Sequence, residues 1–373
     1  MGGSGVTLRF EDIGALVELA GQREQANSEE YPTATITEFF ASGLMNAPFP
    51  MSLGGSGWTA VEAVRAVEAL SEVAPSTALV TAMPLGLAGV YGAGPDLAPH
   101  EHRAAWIAQT ETVAADYRAG RLYAACNSEA GAGGSLDATK TLARRDSRGN
   151  WAISGAKILA SSGDKADVFL STAKVSQEDL PGAGVVEFFF VPVHADGVAI
   201  AHDWNGFGMR ATESQTVHYE GAIASGQFGY PNFIAAIQPV SYWYCLFAAI
   251  PLGCAGGILK GLSKPAPTSP GVRLRLAEAR MRHEAMAAYL YETAAAWRPA
   301  AGPSYAARVL RMKTYVTSES TKLCAELFAL AGGRHYRRDG VLSRLLVDSF
   351  AGTALRPPLP LALDMLTDGF DAG

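Results

Sequence analysis

"ACNSEAGAGGSLDATKTLARRDSRGNWAISGAKILASSGDKADVFLSTA", residues 125–173, breaks the texture of a chain that reads as helical on both sides of it. It opens on a loop with almost no side chains, in which Gly131, Gly133 and Gly134 alternate with alanine, and Ser128 and Glu129 stand just ahead of it. Glycines let a backbone approach a ligand closely and adopt positive φ, so a phosphate or a flat ring is the natural guest. A tight turn is the commoner use of such a loop, and neither a Lys-Ser/Thr pair nor G-x-G-x-x-G spacing follows. Beyond it, "TLARRDSRGNWAISGAKIL" (141–159) sets an Asp-Ser-Arg-Gly-Asn turn between two strand-like runs, and "GVVEFFFVPVHADGVAIA" (184–201) repeats that arrangement around Asp196-Gly197.

Outward from this β segment the periodicity is that of helices. In "WTAVEAVRAVEALSEV" (58–73), Val61, Val64, Val67 and Leu70 share a face, and Thr59 with Glu62 fits a capping box. Residues 79–93, "LVTAMPLGLAGVYGA", are apolar nearly all round, which predicts a helix buried inside a bundle. Downstream, "SPGVRLRLAEARMRHEAMAAYLYETAAAW" and "YAARVLRMKTYVTSESTKLCAELFALAGG" read as long helices, the second closed by Gly332-Gly333. Residues 221–259 hold no Asp, Glu, Lys or Arg, but Pro231, Pro239 and Pro251 interrupt them, so a buried bundle helix is expected and no membrane span. The chain divides into an all-α part (1–120), a small β part (121–225) and a helical bundle (226–373), an α+β order.

Composition narrows the function. Of 373 residues 49% are hydrophobic and 18% charged, as in an ordinary globular protein. A net charge of -6 argues against nucleic acid, whose phosphates need clustered Lys and Arg. Cys126, Cys245, Cys254 and Cys324 form no CxxC, so reduced thiols in a cytoplasmic protein are expected, and with no HExxH no metal is expected.

Four motifs in order resemble the acyl-CoA dehydrogenase superfamily of flavoproteins, nearly end to end. They are "GLMNAPFPMSLGGSGWT" (43–59), the 125–173 stretch, "WNGFGMRATESQTVHYEGA" (204–222) and "ALAGGRHYRRDGVLSRLLVDSF" (329–350). The resemblance implies an N-terminal helical domain, a central β-barrel-like domain and a C-terminal four-helix bundle holding FAD, with FMN also compatible. It implies that Cys126, Asn127 and Ser128 meet the pyrimidine edge of the flavin and that Gly133, Gly134 and Ser135 lie near the pyrophosphate. Leu159, Ala160 and Ser161 would flank the ring, with Ser161 reaching N5. Gly332 and Gly333 would serve a neighbouring subunit's cofactor in a homodimer or homotetramer.

Departures from the family matter equally. Its proton-abstracting Glu comes from one of two places, which here fall on Arg356 and Trp243, and neither side chain takes a proton. The aromatic that flanks the flavin is Leu159, the Ser-Asp of the loop is Gly134-Ser135, and "KPAPTSPG" (264–271) replaces the segment that grips the pyrophosphate. Three readings follow. The family's commonest chemistry is dehydrogenation of a CH–CH group in an acyl thioester, with Glu129, Asp348 or His335 as a substitute base and an electron-transfer protein as partner. The alternative is a monooxygenase fed with reduced flavin by a reductase, and the last is a non-redox binding paralogue.

Overall fold

The computed structural model describes residues 7–367. The first helices are α1 (Gly14–Ala26), α2 (Thr33–Ala41), α3 (Ala60–Ser71), α4 (Pro75–Gly92) and α5 (Arg103–Arg118). At the start of α3 the Thr59 side chain accepts from the Glu62 amide and the Glu62 carboxylate accepts from the Thr59 amide, the expected capping box. Val64, Val67 and Leu70 are buried, and in α4 every residue from Pro75 to Tyr91 is buried.

The β part follows: β1 (Tyr123–Cys126), β2 (Leu142–Arg145), β3 (Trp151–Ala160), β4 (Val168–Lys174), β5 (Val186–Pro192), β6 (Val198–Ile200), β7 (Gln215–Ala224) and β8 (Gly226–Gln227). They form one sheet in the order β6-β7-β3-β2-β4-β5-β8, with β1 parallel to β4. The β2–β3 hairpin turns on Asp146, whose carboxylate accepts from the amides of Arg148 and Asn150. Because β7 pairs with β3 and its continuation β8 pairs with β5, the sheet curls towards closure. The second expected hairpin does not form: β5 and β6 are strands, but β6 pairs with β7. The cause is a non-local contact, since Gly197, at φ +83°, lies where a Cβ would stand 2.6 Å from the Glu220 carbonyl, and its own carbonyl accepts from the Glu220 amide.

The remaining helices are α6 (Phe233–Ile237), α7 (Val240–Ser263), α8 (Pro270–Ala295), α9 (Pro303–Leu330), α10 (Val341–Ser349), α11 (Ala351–Ala354) and α12 (Leu359–Thr367). The charge-free run supplies α7, the central helix, packed against α3, α4, α8, α9 and α10. It approaches α3 so closely that a Cβ on Gly253 would lie 2.3 Å from the Glu68 carbonyl, and one on Gly257 2.2 Å from that of Glu72. Both obstacles are backbone, so Gly257→Ala must push the helices apart. The expected loss is about 1–3 kcal/mol of unfolding free energy, the usual cost of overpacking, read by urea titration. An unchanged midpoint would show that the helices part freely.

Candidate functional site

Between the β sheet and the helical bundle lies a cavity of about 320 Å³. Its walls are largely apolar and aromatic, with Trp204 and Phe207 from the loop before β7, Trp243, Tyr244 and Phe247 from α7, and Phe350 at the end of α10. Phe207 is 76% exposed and stands edge-to-face with the half-exposed Phe350, their centroids 6.2 Å apart, so two aromatics from different parts of the chain frame the mouth. Trp243 holds its place because Gly86 gives it room: a Cβ there would lie 2.1 Å from the indole nitrogen, which donates to the Met83 carbonyl at 3.2 Å.

Strand alternation decides which residues of the glycine-rich stretch reach this space. Ala125, Asn127 and Ser128 line it, whereas the Cys126 side chain points the other way, into the β core. There its thiol accepts from Tyr219 at 3.2 Å, and burial pushes its pKa up to about 11, so of Cys126 no side-chain contact with a ligand in the cavity is available. Ala160 likewise faces the β core. A register irregularity between Lys157 and Ala160, with Leu159 at φ +58°, turns Leu159 and Ser161 into the cavity instead.

Ser161 is the end of a hydroxyl chain. Thr212 Oγ1 donates to the Met209 carbonyl at 2.9 Å, so its oxygen accepts from Ser214 at 2.7 Å, and Ser214 in turn accepts from Ser161 at 3.2 Å. With its proton committed, Ser161 presents a lone pair to the cavity.

The loop itself sits beside the cavity. Of its residues Leu136 lines the wall, while Gly133, Gly134 and Ser135 do not. Gly133 faces open space, but the position of a Cβ on Gly134 is filled by Pro358, 2.3 Å away, so the close approach that this glycine permits is taken by the chain's own C-terminal segment. Gly332 and Gly333, just past the end of α9, do not line the cavity and have nothing within 4 Å of a Cβ.

Both places of the missing glutamate, Arg356 and Trp243, are on the cavity wall. Arg356 Nη2 donates to the Asn127 carbonyl at 2.9 Å, while its buried Nη1 and the Asn127 Oδ1 have no hydrogen-bond partner among the described residues. Burial lowers the guanidinium pKa.

None of the three substitute bases reaches the cavity. Glu129 is clipped inside the protein: Lys157 Nζ donates to it at 2.7 Å, and so do the Lys140 amide (2.6 Å), the Thr141 amide (3.1 Å) and the Thr141 hydroxyl (2.7 Å). Burial opposes ionisation, but Lys157 and these donors outweigh it and hold the carboxyl down to about 2. Asp348 lies behind Gly208 and Met209, accepting from the Met209 amide at 2.6 Å; burial pushes it up to about 7. His335 is half-buried in the turn after α9, does not line the cavity, and accepts from Arg334. Among the described residues no Asp, Glu or His lines the cavity.

Sequence reading quoted the stretches 204–222 and 329–350 but did not single out Trp204, Phe207, Thr212, Ser214 or Phe350, because nothing local in either stretch shows which of its side chains turn towards the glycine-rich segment. Lys157 was legible as part of a Gly-x-Lys strand, but its burial against Glu129 was not.

Comparison with known proteins completes the picture. The acyl-CoA dehydrogenase N-terminal domain matches residues 15–110, the middle domain 124–222 and the C-terminal domain 254–354. A probable acyl-CoA dehydrogenase, YngJ of Bacillus subtilis, is 22% identical over 349 residues, covering 89% of this chain and 88% of the relative. A nitrososynthase from Micromonospora carbonacea var. africana superposes with a TM-score of 0.80 at 20% identity, covering 98% of this chain and 96% of that one. FMN-bound TdsC from Paenibacillus sp. A11-2, a dibenzothiophene monooxygenase, gives 0.79 at 20% identity, covering 97% and 96%. With helices, curled sheet and bundle in the same order as these three domain matches, the chain belongs to the acyl-CoA dehydrogenase family of flavin-dependent oxidoreductases.

Proposed function

We propose that this chain is a monooxygenase that takes reduced flavin from a partner reductase and places one atom of dioxygen on a small, largely apolar substrate. The carrying observation is that among the described residues no Asp, Glu or His lines the cavity. Dehydrogenation of an acyl thioester needs a group to remove the α-proton, worth about 10²–10⁴-fold in rate. Oxygen delivery has no such requirement at this position. It balances as one oxygen atom entering the substrate and the other leaving as water, with two electrons from flavin and two from substrate.

The residues present fit a flavin ring. Asn127 offers an unpartnered side-chain oxygen, and Ser128 and Ser161 bring hydroxyls to the same wall. We assign these three to hold the ring, which when bound would supply electrons to dioxygen. The lone pair that Ser161 presents suits an N–H donor, as at N5 of the reduced ring, better than the bare N5 of the oxidised one. Phe207 and Phe350 at the mouth present exposed aromatic surface over which a largely apolar substrate would enter. With Pro358 on Gly134 and only residues 264–269 between α7 and α8, a loosely held flavin, FMN in particular, is the favoured form. Gly332 and Gly333 remain available to a second copy of the chain.

Anaerobic addition of butyryl-CoA or octanoyl-CoA to the flavin-loaded protein should leave the oxidised absorbance unchanged. In parallel, FMN, NADH and a flavin reductase should support incorporation of ¹⁸O from dioxygen into a trial set of small aromatic substrates. Bleaching by an acyl-CoA within minutes would return the protein to the dehydrogenases.

A further inference from the structure

The cavity carries one uncompensated charge. Glu129 and Lys157 behind its wall form a neutral pair, no acidic side chain lines it among the described residues, and Arg356 leaves a net +1. Holding a buried guanidinium nitrogen without a partner is costly, and the penalty disappears when an anion completes it. Arg356 does not swing freely to find one, because its Nη2 is fixed to the Asn127 carbonyl, which aims Nη1 at one place. Tyr244 lines the same chamber, and its burial keeps its hydroxyl protonated as a second donor. A guanidinium fork and a phenol lining one chamber are both donors suited to the oxygens of a carboxylate.

We propose that the substrate carries a carboxylate, bound by Arg356 and Tyr244, with its apolar body against Trp243, Phe247 and Leu355. This rests on the cavity being the substrate chamber and holds whichever oxidation occurs there. An ammonium group would be repelled at the same place. The chemistry recognised is an anionic oxygen, which a cofactor could also supply. The chamber that Arg356 lines is otherwise walled by apolar residues such as Trp243, Phe247 and Leu355, which suit a substrate's body better than a phosphate tail, and this favours the substrate as its source.

The test reads binding rather than turnover, so it is independent of the oxygen chemistry. Benzoate and 3-phenylpropionate, with benzamide, 3-phenylpropionamide and benzylamine as controls, are titrated into the protein with oxidised FMN and followed by calorimetry and by the flavin spectrum. FMN and riboflavin are titrated separately into the flavin-free protein. The carboxylates should bind at least tenfold tighter than the amides, with benzylamine weakest. Arg356→Met should erase that preference, and since Nη2 also holds the Asn127 carbonyl, any loss of FMN affinity should be matched by an equal loss of affinity for riboflavin, which has no phosphate. Arg356→Lys, which keeps the charge but not the fork, should retain part of the preference, and it serves as the test if Arg356→Met does not fold. Equal binding of acids and amides by the unmodified protein, or failure of every acid to bind at millimolar concentration, would overturn the proposal. So would a tenfold loss of FMN or riboflavin affinity in Arg356→Met with the acid-to-amide ratio unchanged, which would assign the arginine to the cofactor.

Discussion

Lys157→Met is expected to cost about 3–5 kcal/mol of unfolding free energy, because it strands the Glu129 carboxylate in the interior. The ammonium is fully buried, 2.7 Å from Glu129 Oε1 and 3.1 Å from Thr172 Oγ1, so water cannot replace it. The loss extends beyond the pair. Glu129 also accepts from the amides of Lys140 and Thr141, and in doing so joins the two ends of the glycine-rich loop. A loop released at one end no longer positions Ser128, so flavin affinity should fall with stability. Lys157→Met combined with Glu129→Gln removes the stranded charge, keeps an oxygen for the amides, and should recover more than half of the loss. Urea titration of the three proteins checks this, and a loss below 1 kcal/mol in the single variant would show that the pair is solvated. The pH dependence follows from the depressed carboxyl. Its contribution is complete above the ordinary glutamate value and is lost as pH falls from there towards about 2.

Lys313→Met should be comparably damaging, with a sharper functional consequence. From α9 the buried Lys313 ammonium donates to the carbonyls of Gly352 (3.1 Å), Leu355 (2.8 Å) and Pro357 (2.7 Å). Methionine matches the stem but orphans all three acceptors, at about 1–3 kcal/mol each, so a loss of at least about 3 kcal/mol is expected. Those carbonyls flank Arg356, and its guanidinium loses its aim when they move. The acid-over-amide preference should therefore collapse in Lys313→Met even in the fraction that stays folded. Lys313→Arg should not rescue it, since a planar fork cannot point at three converging carbonyls. Calorimetric titration with benzoate after a urea melt separates the two effects. Full preference with lowered stability would confine Lys313 to a structural role.

What the sequence made legible was local or periodic. The Thr59–Glu62 capping box, the Asp146 turn and the all-apolar α4 each depend on residues within one or two turns of chain. The partner of β6 was not legible, because Asp196-Gly197 looks like a hairpin turn until the Glu220 backbone docks on it. In the site, motif order pointed to a stretch that borders the cavity but not to which way its side chains face. Cys126 and Ala160 face the β core for reasons of strand phase and a register shift that no single residue announces. Gly134 was read as room for a ligand, and only the return of the chain 220-odd residues later fills it with Pro358. The loss of the base was legible in Arg356 and Trp243; that Glu129 is a clip needed Lys157 beside it in space.

The central helix has a consequence for how the protein is made. α7 is 24 residues long and apolar enough to cross a membrane, and in the finished fold it is covered on all sides by neighbours. The ribosome delivers those neighbours unequally. α3 and α4 are already in hand when α7 emerges, and the glycine-lined groove against α3 can close at once. α8, α9 and α10 have yet to be translated, so for the time needed to add the stretch up to Ser349 the other face of α7 lacks its cover. The tight seam with α3 is thus the part of the α7 surface that chain order allows to be covered first, well before the helices of its other face exist.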